Sequence, residues 1–281
     1  MPGTLYVVAT PIGNLEDISH RAVRILGSVP LIAAEDTRRT RKLLAHYGIV
    51  TPLVSFHAHS LPGRTAELLT RLSSGTDIAL VSDAGMPTIS DPGVELVAAA
   101  RASGALIDVI PGPSALTTAL AAAGFSGGRT IFMGFAPRKK AERRAAISSA
   151  CQPGCIVVFF ESPHRISNLL TDIYNELGDR PICVARELTK LHQEVIVGRT
   201  KQVTETDFRR QGEFTVVIGP QLEGGTPREV PGPLALSQEF YHLTNIMRLA
   251  RRAAVSRLAH KYETTSREMY TMVERALDFG N

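Results

Sequence analysis

Four short apolar runs fall in the first 110 residues: TLYVVA (4–9), LIAAE (31–35), DIALVS (77–82) and LIDVI (106–110). Each is bounded by Gly, Pro or Asp. Between them apolar positions recur at helical spacing, roughly over 19–26, 37–47, 62–73 and 92–102. Strands that read as unbroken apolar runs are buried on both faces, and intervening helices supply the cover. That is the pattern of βαβ units on a parallel sheet. Local signals agree. Ser19 stands where an N-cap belongs, and Pro62 opens the third helical stretch. Asp91-Pro92 reads as cap and first-turn residue of the fourth.

PGPSA (111–115) ends this regime, because Pro-Gly-Pro cannot continue a strand and Ser114 can start the Ala-rich helix through Ala123. Beyond it lie strand signals at 131–136, 155–160, 182–186, 194–199 and 214–219. Helical stretches are expected over 139–150, 163–177 and 203–211. The last three strands follow one another with little helix between them, which predicts a mixed sheet with antiparallel pairs. EGGTPREVPGP (223–233) reads as a linker, and the tail as two helices over 245–261 and 266–278. The expected plan is α/β throughout: an N-terminal, mainly parallel domain (1–113), a second domain with a mixed sheet (114–222), the linker (223–233) and a helical extension (234–281).

With 281 residues the chain can bury full cores without staples. Three cysteines cannot form a disulfide framework and fit a reducing cytoplasm. Cys151 and Cys155 lack the second ligand pair a zinc site needs, and His57 and His59, two apart, do not make one alone. No metal is expected. The N-terminus has no basic stretch before its apolar run, and no run approaches the ~20 residues that span a bilayer. A cytoplasmic chain without membrane contact is expected. The net charge of +4 and pI of about 9.1 hint at an anionic partner.

Two loops follow predicted strands. TPIGN (10–14) occupies the place of a dinucleotide-binding fingerprint but has one glycine, so the pyrophosphate cradle is absent. VSDAGMPTISDPG (81–93) has too few regularly spaced oxygens for calcium and no lysine for a phosphate loop. Gly85 lets a ligand approach the backbone, and Asp83 can accept hydrogen bonds from hydroxyls or an amine. A neutral or cationic ligand fits best.

TPIGNLEDIS, AAEDTR (33–38), SDAGMPTISDPG, PGPSA, ESPHR (161–165) and RELTK (186–190) occur in one order and spacing. In this the chain resembles the ribosomal RNA small subunit methyltransferase I family, part of the tetrapyrrole-methylase-like class of S-adenosylmethionine (SAM) methyltransferases. The resemblance runs over about 5–280. It implies two α/β domains with SAM in the cleft between them, and a homodimer. It also implies 2′-O-methylation of a cytidine, position 1402, in the decoding region of 16S rRNA in the small ribosomal subunit. Carried over residue by residue, cofactor contacts fall on Thr10, Pro11, Asp83, Ala84, Gly85, Met86, Ser114, Ala115 and Phe160. Two positions depart from the family pattern: Met86 where threonine is common, and Gln193 where glutamate is common.

Methyl transfer to a ribose hydroxyl needs alignment and the removal of one proton. The candidates are Glu35 and Asp36 in EDTR, Glu161 and His164 in ESPHR, and Glu187 and Lys190 in RELTK. Lysine in a cleft can serve as base or as partner of the alkoxide. Each has a structural alternative: Asp36 can cap a helix, and ESPHR can be a corner. RNA contacts are expected from PRKKAERR (137–144), through Arg138, Lys139, Lys140, Arg143 and Arg144, and from Arg38 and Arg165. In the tail, Arg248, Arg251 and Arg252 would share one helix face. Both basic segments would neutralise phosphates. A small-molecule methyltransferase and a non-enzymatic ribosome-binding protein are the competing readings.

Overall fold

The computed structural model describes residues 2–57, 62–209, 211–221, 230–262 and 264–278. His59 and residues 223–229 of the expected linker lie outside the described residues. The chain divides into two compact units, Met1–Gln221 and Leu222–Asn281.

The first unit opens with the expected parallel sheet. Its strands are β1 (Thr4–Val8), β2 (Leu31–Ala34), β3 (Leu53–Ser55), β4 (Ile78–Val81) and β5 (Leu106–Ile110). They lie in the order β3-β2-β4-β1-β5, every pair parallel. The sequence pattern misses β3, a three-residue edge strand directly after Pro52. The helices are α1 (His20–Ser28), α2 (Thr37–His46), α3 (Pro62–Ser73) and α4 (Val94–Ala102). Successive strand residues point to opposite faces, so the apolar runs feed two cores. Leu31, Ala33, Ile78 and Leu80 pack with Leu68, Leu72, Leu96 and Ala100 of α3 and α4. Ile32, Ala34, Ala79 and Val81 pack with Ala22, Ile25, Leu26 and Leu44 of α1 and α2.

After α5 (Ala115–Ala123) come β6 (Arg129–Phe135), α6 (Lys140–Ala150), β7 (Cys155–Glu161), α7 (Ile166–Leu177), β8 (Pro181–Arg186), β9 (Glu194–Arg199), α8 (Thr200–Thr204) and β10 (Phe214–Ile218). This sheet has the order β6-β7-β10-β8-β9. β6 and β7 are parallel and the other pairs antiparallel, so the sheet is mixed, as the pattern predicts. α6, α7 and α8 cover one face through Ile147, Leu169, Ile173 and Val203. α5 covers the other through Ala119 and Ala123. The helix expected over 163–177 starts three residues later because Ser162–Arg165 forms a turn, and the one expected over 203–211 is α8 instead.

The second unit holds α9 (Pro233–Tyr241), a π turn (His242–Ile246), α10 (Arg251–Lys261) and α11 (Ser266–Asp278). The single helix expected over 245–261 is broken: Arg248 adopts φ +53°. Leu236, Phe240, Leu258, Met269 and Val273 form its core. A reciprocal capping box starts α11. Glu268 N donates to Thr265 Oγ1 at 3.2 Å, and Thr265 N donates to Glu268 Oε2 at 3.1 Å. No helix among the described residues is long and apolar enough to cross a membrane.

One glycine is fixed by both backbone and packing. Gly93 has φ +127°, and a Cβ there would lie 2.7 Å from Leu80 Cδ2 in the core. Gly93→Ala is therefore expected to destabilise the chain by about 2 kcal/mol, read as a lowered urea midpoint with unchanged slope.

Candidate functional site

β1 and β4 are neighbours, yet α1, after β1, packs on one face of the sheet and α4, after β4, on the other. Their loops diverge and open a crevice at the carboxyl ends of the strands, where open α/β sheets take ligands. Across it the two loops are pinned backbone to backbone. Thr10 N donates to Gly85 O at 2.8 Å, and Gly85 N donates to Thr10 O at 3.0 Å. The Thr10 hydroxyl donates to Ser82 O at 3.2 Å. Gly85 reaches this geometry at φ +78°. Thr88 (+75°), Ser90 (+65°) and Gly93 (+127°) are also left-handed. For a β-branched residue such as Thr88 this is an outlier that persists only where the surroundings over-determine it. Pro11 is buried and Ala84 and Met86 are half-buried. Ser114 stands at the N-cap position of α5, but its hydroxyl makes no capping hydrogen bond. Ala115 is half-buried, and the Phe160 ring stands edge-on to Phe132 at 4.9 Å.

The EDTR loop locks onto the same crevice through Asp83. Asp83 N donates to Glu35 Oε2 at 3.2 Å, and Asp36 N donates to Asp83 Oδ1 at 3.0 Å. Arg39 lies 3.2 Å from Asp83 Oδ2. Asp36 itself caps α2, accepting from Arg38 N at 2.8 Å and pairing with the Arg38 side chain at 2.7 Å. Hydrogen bonding to Arg38 holds the Asp36 carboxyl far below the usual carboxylate range. The helix-cap alternative thus describes Asp36, and Arg38 is its partner.

RELTK packs against TPIGN. A Cβ on Gly13 would lie 2.4 Å from Lys190 Cγ, and Asn14 N donates to Thr189 Oγ1 at 3.0 Å. Glu187 (φ +50°) and Thr189 (φ +65°) are both left-handed. Gln193 supports that turn: its Oε1 accepts from Thr189 N at 2.6 Å. A glutamate oxygen could accept the same bond, so the departure at Gln193 keeps the acceptor and removes a charge. Lys190 Nζ reaches Glu187 Oε1 at 2.8 Å and Glu213 Oε2 at 3.2 Å. Burial alone would lower its pKa; the hydrogen bond to Glu187 and the charge of Glu213 outweigh burial and raise it. Lys190 is therefore held as a cation, which argues against the general-base role.

Several expected RNA-contacting or catalytic groups are internal. Arg143 is buried. Its Nε and Nη2 donate to Asp172 Oδ2 at 2.8 and 2.6 Å, and its Nη1 donates to Arg138 O at 3.2 Å. It cannot meet a phosphate without leaving the core, which corrects its assignment. The Glu161 side chain is fully buried. Its Oε1 accepts from Ser162 N at 2.7 Å, and its Oε2 lies 3.0 Å from Arg165 Nη2 without an aligned hydrogen bond. ESPHR is the corner that the structural alternative describes. Arg144 pairs with Glu176. In the tail, Arg248 lies outside α10, so the shared helix face with Arg251 and Arg252 does not form. Arg251 pairs with Glu274 and sits 5.6 Å above the Phe240 ring. Arg138, Lys139, Lys140, Arg252 and His164 remain exposed.

Sequence reasoning misses Asp91. The Asp91 cap does not form either, because α4 starts at Val94 with Gly93 in the cap position and no side-chain cap. Burial, followed by the charge of Glu35, pushes the Asp91 carboxyl up to about 6, with smaller contributions from Asp83 and Glu213. Four acids from three segments, Glu35, Asp83 with Asp91, and Glu213, therefore face one region. The only sequence signal was the second Ser-Asp of the loop, which reads equally well as a cap.

The sequence profile of the Tetrapyrrole (Corrin/Porphyrin) Methylases matches residues 4–204. A ribosomal RNA small subunit methyltransferase I of Synechocystis sp. is 43% identical over 277 residues, covering 96% of this chain and 97% of that protein. The chain belongs to the ribosomal RNA small subunit methyltransferase I family. The family member from Thermotoga maritima is 48% identical over 218 residues, which cover 98% of it but 77% of this chain. Among solved structures, uroporphyrin-III-C-methyltransferase from Thermus thermophilus matches with a TM-score of 0.58 at 18% identity, over 77% of this chain and 94% of that one. A cobalt precorrin-4 methyltransferase matches at 0.56 and 17%, over 77% and 94%. These two likenesses establish the fold alone.

The raised Asp91 pKa predicts a pH dependence of stability. Because the folded value exceeds the unfolded one (3.8), the folded chain holds a proton that the unfolded chain has lost between about pH 4 and 6. Stability from this group falls as pH rises through that window, and the deficit is complete above it. Discounted for its partial exposure, the deficit is about 1 kcal/mol. Asp91→Asn should raise the unfolding free energy by about that amount at about pH 7.5, read from urea unfolding, and match the parent at about pH 3.5.

Proposed function

We propose that this chain transfers a methyl group from SAM to the 2′-oxygen of a cytidine ribose, position 1402, in the decoding region of 16S rRNA of the small ribosomal subunit. The observation that carries the reading is the bridged crevice at Thr10 and Gly85, in a chain of this family. It acts in the cytoplasm as a homodimer. The two sheets, in 1–113 and 114–222, serve as its two domains, and 234–281 as an extension that helps to grip the subunit.

The donor set suits the cofactor. SAM carries a sulfonium, an ammonium and a carboxylate, so it is a net cation with ribose hydroxyls to satisfy. Glu35, Asp83, Asp91 and Glu213 give the crevice an acidic lining, and Gly85 keeps the backbone open. Thr10, Pro11, Asp83, Ala84, Gly85, Met86, Ser114, Ala115 and Phe160 would hold the cofactor, which supplies an activated methyl group when bound. With the cofactor bound, these residues would align the substrate 2′-hydroxyl with the methyl group, and the hydroxyl proton would pass to a base. Asp36 and Glu161 are poor acceptors because arginines already engage them. Glu35 and His164 keep that role. Lys190, held as a cation by Glu187, stabilises the developing alkoxide.

The RNA side rests on exposed cations. Lys139 and Lys140 stand at the cap and first position of α6, which lacks a side-chain cap. Cations at a helix N-terminus are electrostatically misplaced until an anion arrives. The Thermotoga maritima relative bears the same rRNA methyltransferase name, although about a quarter of this chain has no counterpart in it.

Methylation of under-modified small subunits, followed by mass spectrometry of the nucleosides, tests the reading. 2′-O-methylcytidine is expected; a methyl group on the cytosine base would overturn it. Lys190→Ala should lower kcat about 100-fold while the Kd for SAM stays within about twofold; full activity would remove Lys190 from the mechanism.

A further inference from the structure

We infer that the buried Arg143 and the half-buried Arg165 are positioning residues that aim the exposed cations Arg138, Lys139 and Lys140 at a nucleic-acid backbone beside the methyl donor. The inference rests on the proposed RNA-methylating activity and concerns how the substrate is held.

β6 and β7 are parallel neighbours, so the segments that leave them, 136–139 and 162–165, emerge at the same sheet edge. Two guanidinium groups close on the first segment from inside. Arg165 Nη2 donates to Ala136 O and, at 3.2 Å, to Pro137 O. Arg143 Nη1 donates to Arg138 O at 3.2 Å and lies 3.4 Å from Pro137 O. Three consecutive carbonyls, Ala136 to Arg138, are thus held by two arginines. Each arginine is in turn fixed by a buried carboxylate: Arg143 by Asp172, and Arg165 by Glu161. A loop could be held by apolar packing alone. Burying the Arg143–Asp172 pair and the Glu161 carboxylate is a costly way to fix three carbonyls, since desolvation can cancel the attraction. What the arrangement supplies is geometry. The fork of arginine grips a carboxylate and carbonyls at once, which a lysine cannot do.

The held loop lies close to the cofactor crevice. At Gly134, φ +65°, a Cβ would sit 3.2 Å from Ser90 Oγ of the VSDAGMPTISDPG loop. Arg138 is four residues further on, at most ~14 Å of extended chain. The exposed cations are therefore tethered within ~14 Å of the point where β6 meets the Ser90 loop, and the staples prevent the tether from swinging. Among the described residues the three cations carry little internal pairing: Lys139 meets Glu142 at 3.0 Å on the exposed surface. Such a pair is weak and yields readily to a phosphate.

The test compares Arg165→Lys and Arg143→Lys with the surface variant R138A/K139A/K140A in the full chain. Binding to under-modified small subunits is measured over a salt series, along with SAM affinity by calorimetry and methylation kinetics. Arg165→Lys, which keeps the charge and loses the fork, should raise the subunit Kd and KM about fivefold or more and flatten the salt dependence as phosphate contacts are lost. SAM affinity and kcat should stay within about twofold. Arg143→Lys should do the same, and it supplies the answer if Arg165→Lys does not fold. A folded lysine variant with unchanged subunit affinity and salt slope would overturn the inference, as would equal losses in SAM and subunit binding. If the triple variant also binds subunits unchanged, the RNA reading of this surface fails; if it alone is weakened, only the positioning role fails.

Discussion

Two backbone hydrogen bonds, between Thr10 and Gly85, set the geometry on which the site depends. They join loops that leave adjacent strands in diverging directions, and they fix the width of the crevice between them. The conformation they require is costly elsewhere. Thr88 and Ser90, with side chains, take left-handed backbone, and Gly93 fits against Leu80 only because it lacks a Cβ. Strain of this kind survives only when surrounding contacts hold it. Here the contacts come from three directions: Glu35 and Asp36 on Asp83, Ser82 on Thr10, and Gly134 of β6 against Ser90.

Much of this plan was legible in the residues. Four of the five parallel strands announced themselves as apolar runs, because burial on both faces removes polar alternation. β3 did not, since three residues after a proline are too short to show a period. The crevice loops could be located because each follows a buried strand. What the sequence could not convey was which polar groups face inward. Arg143 sits among Arg138, Lys139, Lys140 and Arg144 in one basic run, yet it is buried against Asp172, twenty-nine positions away. Asp91 reads as a helix cap, but a cap depends on where α4 begins, and that is set by Gly93 rather than by the Asp-Pro pair. Glu161 reads as a candidate catalytic base, yet Ser162 N and Arg165 enclose it. Charge is visible in a sequence; the partner that neutralises it belongs to the fold.

Arg143 and Arg165 share a logic with Lys190. In each case a cation is held by a carboxylate that is itself positioned by the chain: Asp172 from α7, Glu161 at the end of β7, and Glu187 in a left-handed turn beside Gly212. Gly212 has no room for a side chain, because a Cβ there would lie 2.5 Å from Glu187. The RELTK turn thereby presses Lys190 onto the loop at Gly13, so the second sheet reaches the crevice formed by the first. Ile12, from that same loop, is buried in the core of the second sheet. A displacement of either sheet would therefore be felt at the crevice loops.

The central claim is that the crevice pinned at Thr10 and Gly85 seats SAM. Hydrogen–deuterium exchange of the full chain, with and without saturating SAM, addresses it directly. The account predicts added protection in the segments containing 10–14, 82–93 and 114–115, with the tail beyond residue 233 unchanged. Saturating SAM that leaves those three segments unaltered, or that protects only the tail, would contradict it.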